Sequence, residues 1–418
     1  MRSSRPLIAV VAPSAPPLGG GGVASSHFHL YRCLQQRGFD VELLTFNETV
    51  TVEAATEIQR FGASPFQRSC LALCSALYLK SIGSRKTAYQ FSDILFSIPG
   101  VLKLNRVLQK LKPQQIIIPD HGAPGLFLDK GDARLTMVVH HNPSRFINNP
   151  LLDDFCPVDV QQAMNLEQRI LKKVDGVIAP SKYMEGVFRE TFQFAGPVHM
   201  IHNVLDFSLL DSVNSSNVVS ALGLSTEVPL VYIPSAASIF KGKQYVGEVI
   251  RRLSACCTTK ICFYLSGTIT DDLAQELSHI SENAHIFAPG QLSYLENLAI
   301  IKACSFGISP TLVESFGMAI LEAVACGVPM VVFRVGGTGE IIFDDENGFC
   351  VPCHDVEPLC SSAVRLLDTA FCKKMSRQAA AFTRNKFNAD RSIDAYLQFC
   401  KIDNITEKEF SRGNAVEH

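Results

Sequence analysis

Two glutamates stand eight positions apart in ESFGMAILEAVACGVP, which runs from Glu314 to Pro329. Glu314 precedes a Ser-Phe-Gly turn, and Glu322 falls about two turns into the apolar run that follows. Ser315 is a suitable cap for a helix starting around Gly317, and Cys326-Gly327 with Pro329 just beyond is the matching stop signal. A short strand, SFGIS, ends upstream near Pro310. Ligands of open α/β sheets bind beyond the carboxyl ends of strands, and a helix start offers N–H groups and a positive partial charge that suit phosphate. Gly317 would let such a ligand approach the backbone without a Cβ in the way. Glu314 is then placed to meet the group attached to a phosphate, while Glu322 points at something farther along. One ligand with two hydroxyl-rich ends would suit both carboxylates.

The elements that must hold these residues alternate along the chain. Strand-like runs occur at 7–13, 40–46, 114–120, 136–142, 175–181 and 198–203, and again at 230–236, 260–267, 285–290, 305–311, 328–334 and 349–352, with helical patterns between many of them. Continuous β-branched runs alternating with helices predict α/β doubly wound parallel sheets. At 418 residues the chain is too long for one ordinary core. The expected division is an N-terminal domain over 1–205, with an irregular helical part at 52–110, and a linker over 206–228, where Ser, Asn and Pro break the pattern. A C-terminal domain over 229–385, a helix over 386–405 returning to the first domain, and a polar tail over 406–418 complete it.

A formal net charge of −2 gives no general electrostatic case for nucleic acid. Fourteen cysteines lie scattered, mostly in apolar runs, the usage of a reducing compartment, so a cytoplasmic protein is expected. Cys350-Val-Pro-Cys353-His354 matches a haem-attachment pattern, but no second cysteine pair at zinc spacing accompanies it, and buried or incidental thiols are the preferred reading. Arg2 and Arg5 before LIAVVAPSA read as the entry to a first strand, because the apolar run is too short for a signal peptide. The stretch Cys70 to Leu79 is too short to span a membrane and reads as a buried core helix in preference to an interfacial one.

The Glu-x7-Glu stretch, with Pro-Thr before it and GGTGE after it, resembles the motif of retaining GT-B glycosyltransferases, most closely glycosyltransferase family 4. That resemblance implies two Rossmann-like domains facing across a cleft. It also implies that Glu314 contacts donor-sugar hydroxyls, that Glu322 holds the nucleotide ribose, and that backbone at Phe316, Gly317 and Met318 contacts sugar and diphosphate. IFKGKQY places Lys241 where the family has its donor-phosphate lysine, and PSAPPLGGGG with the following helix resembles the N-terminal Gly-rich loop, implying substrate contacts at Gly21 and Gly22. PSKYMEGVF and VHMIHNVLD resemble the family's Ser-x-Tyr helix start and Asn-x-x-Asp domain end.

The family often has a histidine near the reacting sugar at the end of the TMVV strand. His140 is preferred by position over His141, and His121 is a further candidate. The sequence departs from the family at Ala236, where an arginine commonly helps neutralise the diphosphate; Arg334 and Lys243 are candidate substitutes that no motif supports. The implied reaction moves a sugar from a nucleotide-sugar donor to a carbohydrate or lipid-linked acceptor hydroxyl, plausibly in polysaccharide, lipopolysaccharide or glycolipid synthesis. No Asp-x-Asp triplet occurs, so no metal and no cofactor are expected. Donor base, acceptor, oligomeric state and peripheral membrane contact stay open. A nicotinamide dehydrogenase fits less well, since the glycines follow a Pro-rich loop and Glu48 is a poor ribose ligand. A sugar-nucleotide epimerase fits the Lys-Gly and paired glutamates less well, and a catalytically silent GT-B protein is the rival that Ala236 supports.

Overall fold

Runs such as LIAVVA and ICFYL have no polar face to give to water, so they become strands covered on both sides. In the computed structural model of the chain, residues 6–17, 20–48, 58–82, 89–146 and 156–402 are described. The chain divides into two units, Met1–Leu205 together with Ala389–His418, and Asp206–Asn388.

The first unit runs β1 (Leu7–Ala12), α1 (Gly22–Gln36), β2 (Asp40–Thr45), β3 (Ile58–Arg60), α2 (Pro65–Ser81), α3 (Tyr89–Leu111), β4 (Gln115–Pro119), β5 (Arg134–Val138), α4 (Pro157–Ile170), β6 (Gly176–Ala179), α5 (Lys182–Thr191) and β7 (Val198–Met200). The strands form one parallel sheet in the order β3-β2-β1-β4-β5-β6-β7, with Ile8 opposite Val41 on one side and opposite Gln115 on the other. Its two faces carry separate apolar clusters, one containing Val11, Ile118 and Leu135, the other Val10, Ile117 and Ile178, as the alternation of side chains along a strand requires.

The second unit runs α6 (Phe207–Ser212), α7 (Val218–Ala221), β8 (Leu230–Ile233), α8 (Lys243–Cys256), β9 (Ile261–Leu265), α9 (Asp271–Leu277), β10 (Ala284–Phe287), α10 (Tyr294–Ala303), β11 (Phe306–Ser309), α11 (Met318–Ala325), β12 (Met330–Phe333), α12 (Thr338–Ile341), β13 (Gly348–Val351), α13 (Val356–Arg365) and α14 (Thr369–Lys386). Its parallel sheet has the order β10-β9-β8-β11-β12-β13. The last helix, α15 (Ala389–Cys400), packs on α1 of the first unit, where Arg37 meets Asp390 at 2.9 Å and Asp394 at 2.6 Å.

Residues 206–228 cluster with the second unit and carry α6 and α7. Asp206 accepts the N–H of Leu209 as the cap of α6, and Lys302 donates to the carbonyls of Leu210 and Val213. The three-residue β3 gives no period to read in the sequence. The expected polar tail lies outside the described residues.

One expectation is overturned. The stretch Cys70 to Leu79 is helical, but it is not a core helix: within α2 only Ser75 is buried, and Phe66, Leu73 and Leu77 are 79%, 62% and 57% exposed. The run carries apolar residues on more than one side, whereas among the described residues α3 covers one of them.

Candidate active site

Each sheet reverses its direction of growth beside its first strand, at β1/β4 in the first unit and at β8/β11 in the second. Chains leave such a pair of strands toward opposite sides and open a crevice beyond their carboxyl ends. In the second unit, the loop after β8 carries Lys241 and the loop after β11 carries Glu314.

The two loops are fastened backbone to backbone. The Phe240 carbonyl accepts the N–H of Leu312 at 2.8 Å and of Val313 at 3.1 Å, and the Thr311 hydroxyl at 3.2 Å. Gly242, at φ 80°, lies so close to Pro310 that a Cβ would sit 2.0 Å from its carbonyl oxygen. Lys241 Nζ consequently meets Glu314 Oε2 at 2.5 Å, with the two side chains 29% and 13% exposed. Glu314 Oε1 accepts the N–H of Ser315 at 3.2 Å.

Ser315 does not cap the helix that follows. Gly317 takes the cap position with no side-chain hydrogen bond, and α11 begins at Met318. The first N–H bonded along this helix is that of Leu321, to the Gly317 carbonyl at 2.9 Å, so the N–H groups of Met318, Ala319 and Ile320 precede the helical ladder. Phe316 and Met318 are buried, Phe316 against Phe387. GGTGE packs beneath this turn, with Gly337 against the backbone of Ser315 and Phe316.

Glu322 is buried within α11 and accepts the Tyr294 hydroxyl at 3.1 Å. Tyr294 was missed in the sequence. It opens α10 beyond the carboxyl end of β10, and the capping box of Ser293 and Glu296 was the readable sign of that position. Of the cations considered to stand in for an arginine at buried Ala236, Lys243 pairs with Asp272, and Arg334 donates to the Cys350 carbonyl at 3.0 Å.

In the first unit, Gly21 caps α1 and Gly22 opens it, with open space where a Cβ would stand on either. One turn on, α1 presents Ser26 and His27 to His140, which follows β5 and is 4% exposed. His140 Nε2 lies 3.2 Å from His27 Nε2 and 3.4 Å from Ser26 Oγ. The Ser26 hydroxyl donates to the Val23 carbonyl at 2.9 Å, and the donor and acceptor roles of the two facing Nε2 atoms depend on the tautomers of His27 and His140. Burial lowers the His27 pKa to about 4, against a smaller upward pull from the Val11 backbone. Burial also holds His140 and His141 well below the usual histidine value, with smaller downward pushes from His27 on His140 and from Arg145 on both.

Asp120, just past β4, accepts the N–H groups of His140 at 2.8 Å, His141 at 2.9 Å and Asn142 at 2.9 Å, and thereby sets the path of the loop that bears both histidines. Burial raises its pKa despite these three donors. Sequence reading stopped one residue short, at His121, which instead lies 3.5 Å from Asp93. His141 Nε2 lies 2.7 Å from Gln90 Oε1. Glu48 is a structural anchor, bound by Arg60 at 2.6 Å and Thr45 at 2.7 Å.

The structure therefore gathers Lys241, Glu314, Gly317 and Glu322 in one unit, and Gly21, Gly22 and His140 in the other. Among the described residues no group of three His, Cys, Asp or Glu side chains is arranged to hold a metal ion. All fourteen cysteines are free thiols, and His354 Nδ1 is engaged by the Tyr245 hydroxyl at 2.7 Å.

Residues 230–369 match the family described as Glycosyl transferases group 1, and residues 20–209 match Glycosyltransferase Family 4. N-acetyl-alpha-D-glucosaminyl L-malate synthase of Bacillus anthracis is 33% identical over 240 residues, covering 56% of this chain and 61% of that enzyme. For several further curated relatives, the aligned segment spans only 21% to 31% of their length. Among solved structures, sucrose-phosphate synthase from Thermosynechococcus elongatus superposes with a TM-score of 0.70 at 16% identity, covering 98% of this chain and all of that one. Anabaena HepE in complex with UDP-glucose superposes with a TM-score of 0.65 at 17% identity, covering 95% and 99%. At such identities the two superpositions establish the GT-B fold.

Proposed function

Because the chain belongs to glycosyltransferase family 4, with the GT-B fold of the group 1 glycosyl transferases, we propose that it transfers a sugar from a nucleotide-sugar donor to an acceptor hydroxyl with retention at the anomeric carbon. The observation that carries this reading is the Lys241–Glu314 pair, fastened at a strand switch point beside the start of α11. A donor diphosphate lying against that helix start would meet the Lys241 ammonium and the leading N–H groups of α11, which stabilise charge as the leaving group departs. Glu314 would accept hydrogen bonds from donor-sugar hydroxyls and Glu322 from the ribose. In a front-face displacement the bond from anomeric carbon to phosphate oxygen breaks while the acceptor oxygen bonds to the same face. The acceptor's proton passes to the departing phosphate oxygen.

The reaction is proposed to need no metal, since charge neutralisation is assigned to Lys241 and the helix start. Glycan or glycolipid synthesis in the cytoplasm is the setting this chemistry fits. A second reading rests on Ala236: a silent protein that binds a sugar nucleotide without turning it over.

A thermal-shift panel of UDP, GDP, ADP and their sugars, with and without Mg²⁺, tests the donor site, because a ligand selective for the folded chain raises its melting temperature. A shift with one nucleotide family, independent of Mg²⁺ and lost in Glu322→Ala, is expected. Donor hydrolysis or transfer by the same sample then separates the enzyme from the silent protein. No shift with any nucleotide would overturn the donor-site assignment.

A further inference from the structure

Helix α2 carries apolar residues on more than one side, and among the described residues its packed neighbour is α3. Its inner side packs antiparallel on α3: Tyr78 stacks on Phe91 at 3.9 Å, Ser75 hydrogen-bonds Ser92, and Lys103 of α3 donates at 2.7 Å to the Gly62 carbonyl just ahead of α2. Its outer side carries Phe66, Cys70, Leu73 and Leu77, whose spacings of four, three and four residues align them in one narrow stripe. Three of them are among the most exposed large apolar side chains of the described residues, and Cys70 is exposed as well.

Charge says what covers the stripe. Although the whole chain is at −2, α2 has no acidic residue, and α2 with α3 sets Arg68, Lys80, Lys103, Arg106 and Lys110 against Asp93 alone. Asp93 is largely buried and faces His121. Lys80, Arg106 and Lys110 are exposed. An exposed apolar stripe on a helix pair of net positive charge matches a layer whose outside is anionic and whose interior is apolar. A second copy of the chain matches it less well, because a symmetric pairing would press two surfaces of the same sign together. We propose that α2 is an interfacial helix that lays Phe66, Leu73 and Leu77 into the surface of an anionic bilayer, with the exposed Lys80, Arg106 and Lys110 at the headgroups. No helix among the described residues is long and apolar enough to cross a membrane, so the geometry is one of lying on the surface. This inference stands independently of the donor chemistry.

Sedimentation of the full chain with phosphatidylcholine vesicles, with and without phosphatidylglycerol, tests it. Binding is expected only with the anionic lipid and should weaken with added salt. Leu73→Ser with Leu77→Ser should lower the partition coefficient by about tenfold or more. Lys80→Glu with Lys110→Glu should lower it by about tenfold. These side chains are exposed, so unchanged melting temperatures are expected, and the charge pair keeps the test valid should the serine pair fail to fold. Absence of binding, binding equal in the charge-reversed protein, or a concentration-dependent dimer that the serine pair dissociates would each overturn the proposal.

Discussion

Lys241 and Glu314 are 73 residues apart in sequence and 2.5 Å apart in space, and the atom that joins their loops is the carbonyl oxygen of Phe240. The pairing holds the ammonium at the mouth of the β8/β11 crevice before any diphosphate arrives. Replacing Lys241 with Met should therefore lower kcat by about 10²–10³-fold, the scale for losing one preorganised donor to a developing negative charge. Thermal stability should move little, since the pair is partly solvated. Steady-state kinetics together with a melting curve check both halves. A fall in activity that merely tracks lost folding would sink the assignment.

Tyr294 donates a hydrogen bond to Glu322 at 3.1 Å, so removing its hydroxyl tests whether it positions that carboxylate. Tyr294→Phe should weaken donor binding by about fivefold, the scale of one hydrogen bond, with kcat changed less. Glu322→Ala should erase nucleotide-induced stabilisation altogether. Equal donor KM in wild type and the phenylalanine variant would remove Tyr294 from the site.

Gly337 and Gly339 make a matched pair for testing how the turn at Phe316 is supported. A Cβ on Gly337 would stand 2.6 Å from the Ser315 carbonyl oxygen and 2.8 Å from Phe316 Cα, both backbone atoms. On Gly339 it would meet only the Arg334 side chain, at 3.3 Å. Gly337→Ala should cost about 1–3 kcal/mol and Gly339→Ala far less. Denaturant midpoints decide it, and equal losses in the two would mean that the GGTGE backbone is free to move.

Acid should weaken the first unit through its buried imidazoles. In the unfolded chain these rings take up protons near pH 6.5, whereas in the folded state His27 does so only near 4. The unfolded state thus binds more protons between those values, and the stability is complete above about pH 6.5 and lost as pH falls toward 4. For His27 the loss is on the order of 3 kcal/mol across the window. Glu167, raised by burial, pulls in the opposite direction, so the informative quantity is the difference between wild type and His27→Gln. Urea unfolding at several pH values should give the flatter profile for the glutamine variant; parallel profiles would contradict a neutral buried His27.

Twelve of the thirteen strands were legible because β-branched runs between turn residues are a local pattern, and the exception, β3, is too short to have one. Glu314, Gly317 and Glu322 were legible for a related reason: strand, turn and helix follow each other directly, so their spacing survives folding unchanged. Ser315 was misjudged as a cap, since the left-handed backbone of Gly317, at φ 116°, puts the cap position two residues later. The meeting of Lys241 with Glu314, of His27 with His140 and of Tyr294 with Glu322 depends on which strands become neighbours, and that order is a property of the whole sheet. Asp120 went unread because its role lies in accepting three backbone N–H groups from the loop after the neighbouring strand, and backbone N–H groups leave no mark in a sequence. Apolar residues along α2 established by themselves that this helix wants cover on more than one side. Only the tertiary structure decided that, among the described residues, α3 supplies it on one of them, because burial is a property of neighbours that local composition does not contain.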